Sequence, residues 1–307
     1  MEKNHLFSPF HLRNLTLQSR IILEYAENPS DKKTAYYVQC AKDQIGLIMT
    51  NGEADTPAGS NREEAMNTAE LDEWRPVIHR VHEAGGAIAL QLFHTGRYAY
   101  KGEKSSDPAA SSARLYPDKP EKMELHDIYQ SIQAFADGAL KAREAGFDAV
   151  EIGAAEGYLI HQFLSPHTNK RTDQWGGTFE KRLHFPLAVA RHVREYTDAE
   201  FPIIFHLSGR DLSNHRDIED ETITLAEQLE ASGIDMLHIG TGLNETRRSP
   251  LSSEDYACFI KAASAIKNHV SIPVAASYER NRMEEANKIL SDADVDLISI
   301  DKCWKDN

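Results

Sequence analysis

The sequence predicts one α/β domain over residues 1–307, a (β/α)8 TIM barrel with an N-terminal β-hairpin and a truncated eighth helix. Three observations carry that expectation. A unit of helix, short Gly- or Asp-containing break and short apolar run recurs along the chain; there are eight such runs; and they are apolar along their whole length rather than alternating. Wholly apolar strands that alternate with helices belong in a parallel sheet covered on both faces, and eight of them close into a barrel.

In chain order, Leu6 to Leu12 and Leu15 to Arg20 read as two short strands turning at Arg13-Asn14, a hairpin suited to plug the lower end of the barrel. The barrel strands follow as Ile21 to Leu23, Leu47 to Thr50, Ala87 to Leu92, Ala149 to Ile152, Ile203 to His206, Met236 to Ile239, Val274 to Ala276 and Asp296 to Ile300. Breaks at Gln44-Ile45-Gly46, Gly85-Gly86, Gly146-Phe147-Asp148, Gly233-Ile234-Asp235 and Ala293-Asp294-Val295 introduce five of them. The helical partner is clearest in Ile132, Phe135, Ala136, Ala139 and Leu140, whose three and four spacing makes one apolar face. An open doubly wound sheet is the competing architecture, lowered by the lack of a Gly-x-Gly-x-x-Gly turn after the first strand. Seven residues follow the last strand, too few for a full eighth helix, so the adjoining flank is a candidate homo-oligomer contact. Thr95 to Met123 and Gly153 to Gly177 are long excursions after the third and fourth strands, on the side where barrels carry their chemistry. The first is polar and Pro-bearing, suited to a lid.

The composition, 41% hydrophobic and 27% charged, is that of an ordinary globular protein, and the net charge of −14 argues against nucleic acid or an anionic membrane as partner. Cys40, Cys258 and Cys303 form no Cys-x-x-Cys pattern and are expected to be buried thiols in a reducing compartment. The polar start from Met1 to Phe7 lacks the apolar stretch of a signal peptide, and no run reaches membrane-spanning length, so the expected location is the cytoplasm.

Two runs are distinctive. Gln91-Leu92-Phe93-His94-Thr95-Gly96-Arg97, and Gly157-Tyr158-Leu159-Ile160-His161-Gln162-Phe163-Leu164-Ser165-Pro166 continuing through Thr168-Asn169-Lys170-Arg171-Thr172-Asp173 to Gly176-Gly177, resemble the signatures of the old yellow enzyme family. The opening Leu6-Phe7-Ser8-Pro9 with Asn14-Leu15-Thr16-Leu17 is similar as well, so the resemblance spans the whole chain. It implies an FMN-dependent oxidoreductase that takes hydride from NADH or NADPH and passes it to a small-molecule substrate. By motif position, Tyr158 matches the family's proton donor, a task that suits a phenol because it keeps its proton at neutral pH. Gln91 matches the Gln that hydrogen-bonds the flavin edge, although a buried Gln could equally tie neighbouring strands together. The resemblance places Tyr25, Ala26, Gly52, Gln91, His206 and Lys302 around the cofactor, and His94, Gly153 and Glu156 on the substrate side.

Several of these positions depart from the family pattern. Gly153 and Glu156 stand where a His and a second His or Asn grip a substrate carbonyl. Loss of one such donor commonly costs on the order of 100 to 1000-fold in rate. The family's Ala-Pro-Met reads Glu24-Tyr25-Ala26, its cationic Arg after the fifth strand is His206, and its phosphate loops read Tyr278-Glu279 and Asp301-Lys302, with Arg280 and Arg282 nearby. Carboxylates facing a phosphate oppose it by Coulomb repulsion. Three readings stand at this stage: an FMN oxidoreductase with a modified, impaired site; a flavin-free barrel acting as a binding or regulatory protein; and, third, a metal-dependent hydrolase built on His206, His238 and Asp301. No metal-ligand set is assigned from the sequence.

Overall fold

The structure is a computed structural model, and it describes residues 5–26, 31–51, 68–96, 109–110, 121–209, 220–240, 252–278, 282–292 and 294–301. Two short strands, β1 (Phe10–Leu12) and β2 (Leu15–Leu17), pair antiparallel with Leu12 opposite Leu15, and the turn is made at Arg13 with φ of 51°. Thereafter the chain alternates: β3 (Ile21–Ala26), α1 (Asp31–Lys42), β4 (Leu47–Asn51), α2 (Thr68–Glu83), β5 (Ala87–Leu92). Two-residue strands β6 (Ala109–Ala110) and β7 (Glu121–Lys122) pair in parallel beyond β5. Then come α3 (Leu125–Ala145), β8 (Ala149–Ala154), α4 (Leu159–Leu164), α5 (Phe179–Arg182), α6 (His184–Tyr196), β9 (Ile203–Ser208), α7 (Asp220–Ala231), β10 (Met236–Gly240), α8 (Ser253–Lys267), β11 (Val274–Ser277), α9 (Met283–Ser291) and β12 (Leu297–Ile300).

The eight long strands close into a parallel barrel in the order β3-β4-β5-β8-β9-β10-β11-β12, with β12 returning to β3. The predicted barrel is therefore what the chain adopts, and each predicted strand falls within a residue or two of its place at the start and up to three residues short at its end. The place of an eighth helix, residues 302–307, lies outside the described residues, as does most of the excursion after β5.

The breaks that precede the strands have a common physical purpose. Asp148, Asp235 and Asp296 stand just before β8, β10 and β12, and each reaches back to the first turns of the neighbouring strand. The Asp148 backbone N–H donates to the Ile88 carbonyl at 2.9 Å, and its Oδ2 accepts from the Ile88 N–H at 2.8 Å. Asp235 clamps Ile203 in the same way at 2.9 and 2.8 Å, and Asp296 clamps Val274 at 2.8 and 3.0 Å. Each carboxylate satisfies a strand-start N–H that would otherwise be buried without a partner.

Outside the barrel, the α3 face of Ile128, Ile132, Phe135, Ala136, Ala139 and Ala142 is buried against the sheet and α6. Gly146 ends that helix in the left-handed region at φ 103°, a conformation that favours glycine. Inside, Leu12 and Leu17 of the hairpin join Ile22, Leu47, Met49, Ala87, Ala89, Ala149, Ile204, Met236, Ala275 and Leu297 in one apolar cluster. That is the plugged floor expected from the sequence. The cysteines differ from expectation: Cys40, fully buried on α1, is in a disulfide, while Cys258 is half-buried and not disulfide-bonded.

Candidate active site at the barrel mouth

A strand turns alternate side chains to the barrel interior, so the residue two positions beyond each floor residue also points inward. Two residues on from Ile22, Ala89, Ala149, Ile204, Met236, Ala275 and Leu297 stand Glu24, Gln91, Glu151, His206, His238, Ser277 and Ser299. The next interior layer towards the mouth is thus polar on every strand where the side chain is described. Asn51, in register with Gln91, holds the equivalent place on β4.

These groups converge on His238. Its Nδ1 lies 2.7 Å from Glu151 Oε2 and its Nε2 3.0 Å from Glu24 Oε1. Ser277 Oγ donates to Glu24 Oε1 at 2.6 Å, and Ser299 Oγ donates to the same oxygen. Gln91 Nε2 donates to Glu151 Oε1 at 2.7 Å and faces His206 Nδ1 at 3.5 Å. The rings of His206 and His238 stack at 4.4 Å with planes 15° apart. All are essentially out of solvent, with Glu151 and His238 at 1% exposure and His206 at 2%.

Burial alone would keep the carboxylates protonated, yet the hydrogen bond and charge of His238 outweigh it and hold Glu24 at about 2 and Glu151 below the usual carboxylate range. Burial would strip His238 of its proton, but the two carboxylates outweigh it and raise it to about 10. His206 goes the other way: burial and the adjacent His238 charge lower it, and the nearby carboxylates do not compensate. That direction favours the neutral imidazole. The Gln91 amide faces Nδ1, which matches the tautomer with its hydrogen on Nε2, and Nε2 is buried and without a hydrogen-bond partner among the described residues.

Gly240 explains how that ring fits. A Cβ there would lie 2.5 Å from His206 Nε2 and 2.9 Å from Ser277 Oγ. Gly240→Ala must therefore displace the His206 ring, and we expect it to cost about 1–3 kcal/mol in equilibrium denaturation. An unchanged midpoint would mean the ring has another resting place.

Above this layer lies the Tyr158 loop. Tyr158 is half-buried at the N-terminus of α4, its ring 4.8 Å from that of Phe93. The loop is fastened through its backbone: Gly157 N–H donates to His161 Nδ1 at 2.9 Å, Gln162 Nε2 to the Gly157 carbonyl at 2.7 Å, and Leu159 N–H to the His94 carbonyl at 2.9 Å. Glu156 is buried with φ of 58° and is close enough for its charge to act on His206. His94, half-buried, accepts from the Gly96 N–H at 2.9 Å, and desolvation lowers it to about 4. Gly153 lies beside His206 in the strand register, and a Cβ on it would come 3.0 Å from that of Phe93.

Gln91, His206, Gly153, Glu156, Tyr158 and His94 therefore gather at one end of the barrel. Tyr25 and Ala26 contribute the end of β3, their side chains lying outside the described residues, as do Gly52, Glu279, Arg280 and Lys302. Arg282 is paired with Glu285 at 3.1 Å, and the Tyr278 hydroxyl donates to Glu285 at 2.8 Å, so both are turned to α9. Of the three residues behind the third reading, His206 and His238 lie together in the interior beside Glu151, whereas Asp301 is exposed at the strand end. Glu151 escaped the sequence reading because it sits within an apolar run; its signal was a carboxylate inside a strand buried on both faces.

A closed parallel eight-stranded barrel with its polar residues gathered at one end defines the class as a (β/α)8 barrel with a candidate site at its mouth. Residues 5–303 match the NADH:flavin oxidoreductase / NADH oxidase family, and the chain belongs to it. It is 31% identical to an NADH oxidase of Thermoanaerobacter brockii over 96% of this chain and 48% of that one. It is 33% identical to a metal reductase of Desulforamulus reducens over 96% and 46%. The chain thus spans about half the length of these two relatives. An NADPH dehydrogenase of Bacillus cytotoxicus is 31% identical over 96% of this chain and 87% of its own. Among solved structures, morphinone reductase in complex with tetrahydroNAD superposes with a TM-score of 0.76 at 27% identity, over 96% of this chain and 85% of that one. No helix among the described residues is long and apolar enough to cross a membrane.

Proposed function

We propose that this chain is an FMN-dependent NAD(P)H oxidoreductase whose pocket is altered for a substrate other than a simple enone. The observation that carries this reading is His206 Nε2, a buried ring nitrogen without a hydrogen-bond partner among the described residues, at the position of the family's Arg and on a strand end that faces the mouth. A buried donor left unsatisfied costs about 1–3 kcal/mol, and a carbonyl edge such as a flavin's would remove that cost. Gln91 stands beside it on β5, and the residues present fit the group at this edge.

When bound, FMN supplies hydride transfer between the nicotinamide and the substrate. His206 Nε2 and the Gln91 amide would hold the ring edge, the imidazole donating as a neutral group where the family uses a full cation. Tyr158, fixed by the His161 and Gln162 contacts of its loop, would keep the proton for the substrate. Glu156, buried and close enough for its charge to act on His206, stands at the motif position where the family has a neutral or cationic donor. Its carboxylate disfavours an anion developing on a carbonyl oxygen and favours a substrate that brings an N–H or O–H donor of its own.

The test is the visible absorption of the purified protein before and after incubation with FMN and removal of unbound cofactor, followed by NADH and NADPH oxidation. Retention of one FMN, with Tyr158→Phe lowering turnover by about 100-fold or more while FMN stays bound, is the expected result. A protein that retains no FMN would overturn this reading in favour of the flavin-free binding protein.

A further inference from the structure

We propose that Glu151, His206 and His238 form a binding site for one divalent transition-metal ion inside the barrel, directly beneath the mouth. One donor atom from each of the three lies within 4.8 Å of the other two, and all three residues are buried. His238 Nδ1 is 2.7 Å from Glu151 Oε2, and His206 Nδ1 is 3.9 Å from Glu151 Oε1. Around a tetrahedral ion with bonds of about 2.0–2.1 Å, neighbouring ligand atoms stand roughly 3.3 Å apart. These two separations involve different oxygens of Glu151, and the His206 and His238 rings are stacked at 4.4 Å with planes 15° apart, so one ring must turn for both Nδ1 lone pairs to reach one ion. Two imidazoles and a carboxylate suit zinc, cobalt or ferrous iron, and three protein ligands leave a position for water or a substrate group.

Three independent features agree with this assignment. The first is the tautomer. Ligation through Nδ1 needs the hydrogen of His206 on Nε2, which is where the Gln91 amide leaves it. The second is the outer support. Metal-bound imidazoles commonly donate their far N–H to a carboxylate. His238 Nε2 faces Glu24 Oε1 at 3.0 Å, and Glu24 is itself held by Ser277 and Ser299. The third is charge. Two carboxylates share this interior with one imidazole placed between them, so even an imidazolium leaves one negative charge in a buried space. A divalent ion in place of the proton between His238 and Glu151 makes the cluster neutral. It also accounts together for Glu24, His206 and Glu151, and places positive charge under the strand end where the family's Arg would stand.

The test is a titration of chelator-treated protein with Co2+ alone, read by visible absorption and by metal content after gel filtration, with no flavin added. The expected result is one equivalent bound with a Kd below about 1 µM, and the intense d–d bands of a four- or five-coordinate site. His206→Gln should lose that equivalent, while His79→Gln, on the exposed face of α2, should keep it. Glu24→Gln, which spares all three ligands, should weaken binding about 10 to 100-fold, and it decides the matter if His206→Gln folds poorly. Absence of a tight equivalent, or a cobalt spectrum unchanged in His206→Gln and Glu24→Gln, would overturn the proposal and leave the cluster a proton-bridged hydrogen-bond network. Because the readout is metal and not flavin, its failure is separate from failure of the oxidoreductase reading.

Discussion

Glu151→Ala should lower the stability of the chelator-treated protein by about 3–5 kcal/mol, the range found when one partner of a buried ion pair is deleted. Glu151 is 1% exposed and satisfies two donors, the Gln91 amide and His238 Nδ1. Alanine removes both acceptors and opens a cavity between β5, β8 and β10 that no neighbouring backbone can close, because the strands are fixed in register. Glu151→Gln keeps the volume and one acceptor oxygen, and its cost should be smaller, about 1–3 kcal/mol. Chelator treatment matters because a bound ion would add its own linkage to the measured stability. The measurement is a denaturant midpoint at unchanged slope. A loss under about 1 kcal/mol for the alanine variant would mean that the layer is hydrated and that His238 does not depend on this carboxylate.

Much of the fold was legible because it is written in periodicity. Apolar runs and helix faces repeat, and the apolar runs coincide with the barrel strands. In the sequence Asp148 and Asp235 belong to the breaks and Asp296 to the start of a strand, and nothing local says that each clamps a neighbouring strand up to 60 residues away. The distinctive motif was legible too, but most of it is scaffold. Asn169 Nδ2 donates to the Phe163 and Trp175 carbonyls at 2.7 and 2.8 Å, Arg171 to the Met123 carbonyl at 2.6 Å, and Arg182 to the Leu164 carbonyl at 2.6 Å. These residues hold the loop that presents Tyr158, so a chain can keep the signature while its pocket changes. The buried cluster was not legible as a unit. Glu24, Glu151 and His238 are scattered over three strands, and nothing local says that one imidazole lies between two carboxylates. The replacement of the family's residues at Glu24 and His206 reads from sequence as loss; in the barrel both side chains belong to one connected layer.

The opposite end of the barrel offers the second large effect, and it separates stability from chemistry. Asp235→Ala should cost about 3–5 kcal/mol. Its carboxylate is 6% exposed, pairs with Arg194 and Arg13, and accepts the Ile203 N–H at 2.8 Å. Arg194 cannot simply swing into water, since its other donors hold the carbonyls of Gly233, Asp198 and Phe201 at 2.8 to 3.0 Å. Burial already lowers its pKa, the mark of a cation that needs its partner. Asp235→Asn keeps an acceptor for Ile203 and should lose less, about 1–3 kcal/mol. In the double variant with Arg194→Ala, the losses should fall short of their sum by about 0.5–3 kcal/mol, because the two changes remove one shared interaction. Residues at the lower ends of barrel strands serve stability while those at the upper ends serve chemistry. Asp235→Ala should therefore leave the cobalt spectrum and any FMN retention of the folded protein as they were. If instead the base variant altered the mouth spectrum while fully folded, the apolar floor between Met236 and the polar layer would be transmitting the change, and the two ends of the barrel could not be treated as independent sites.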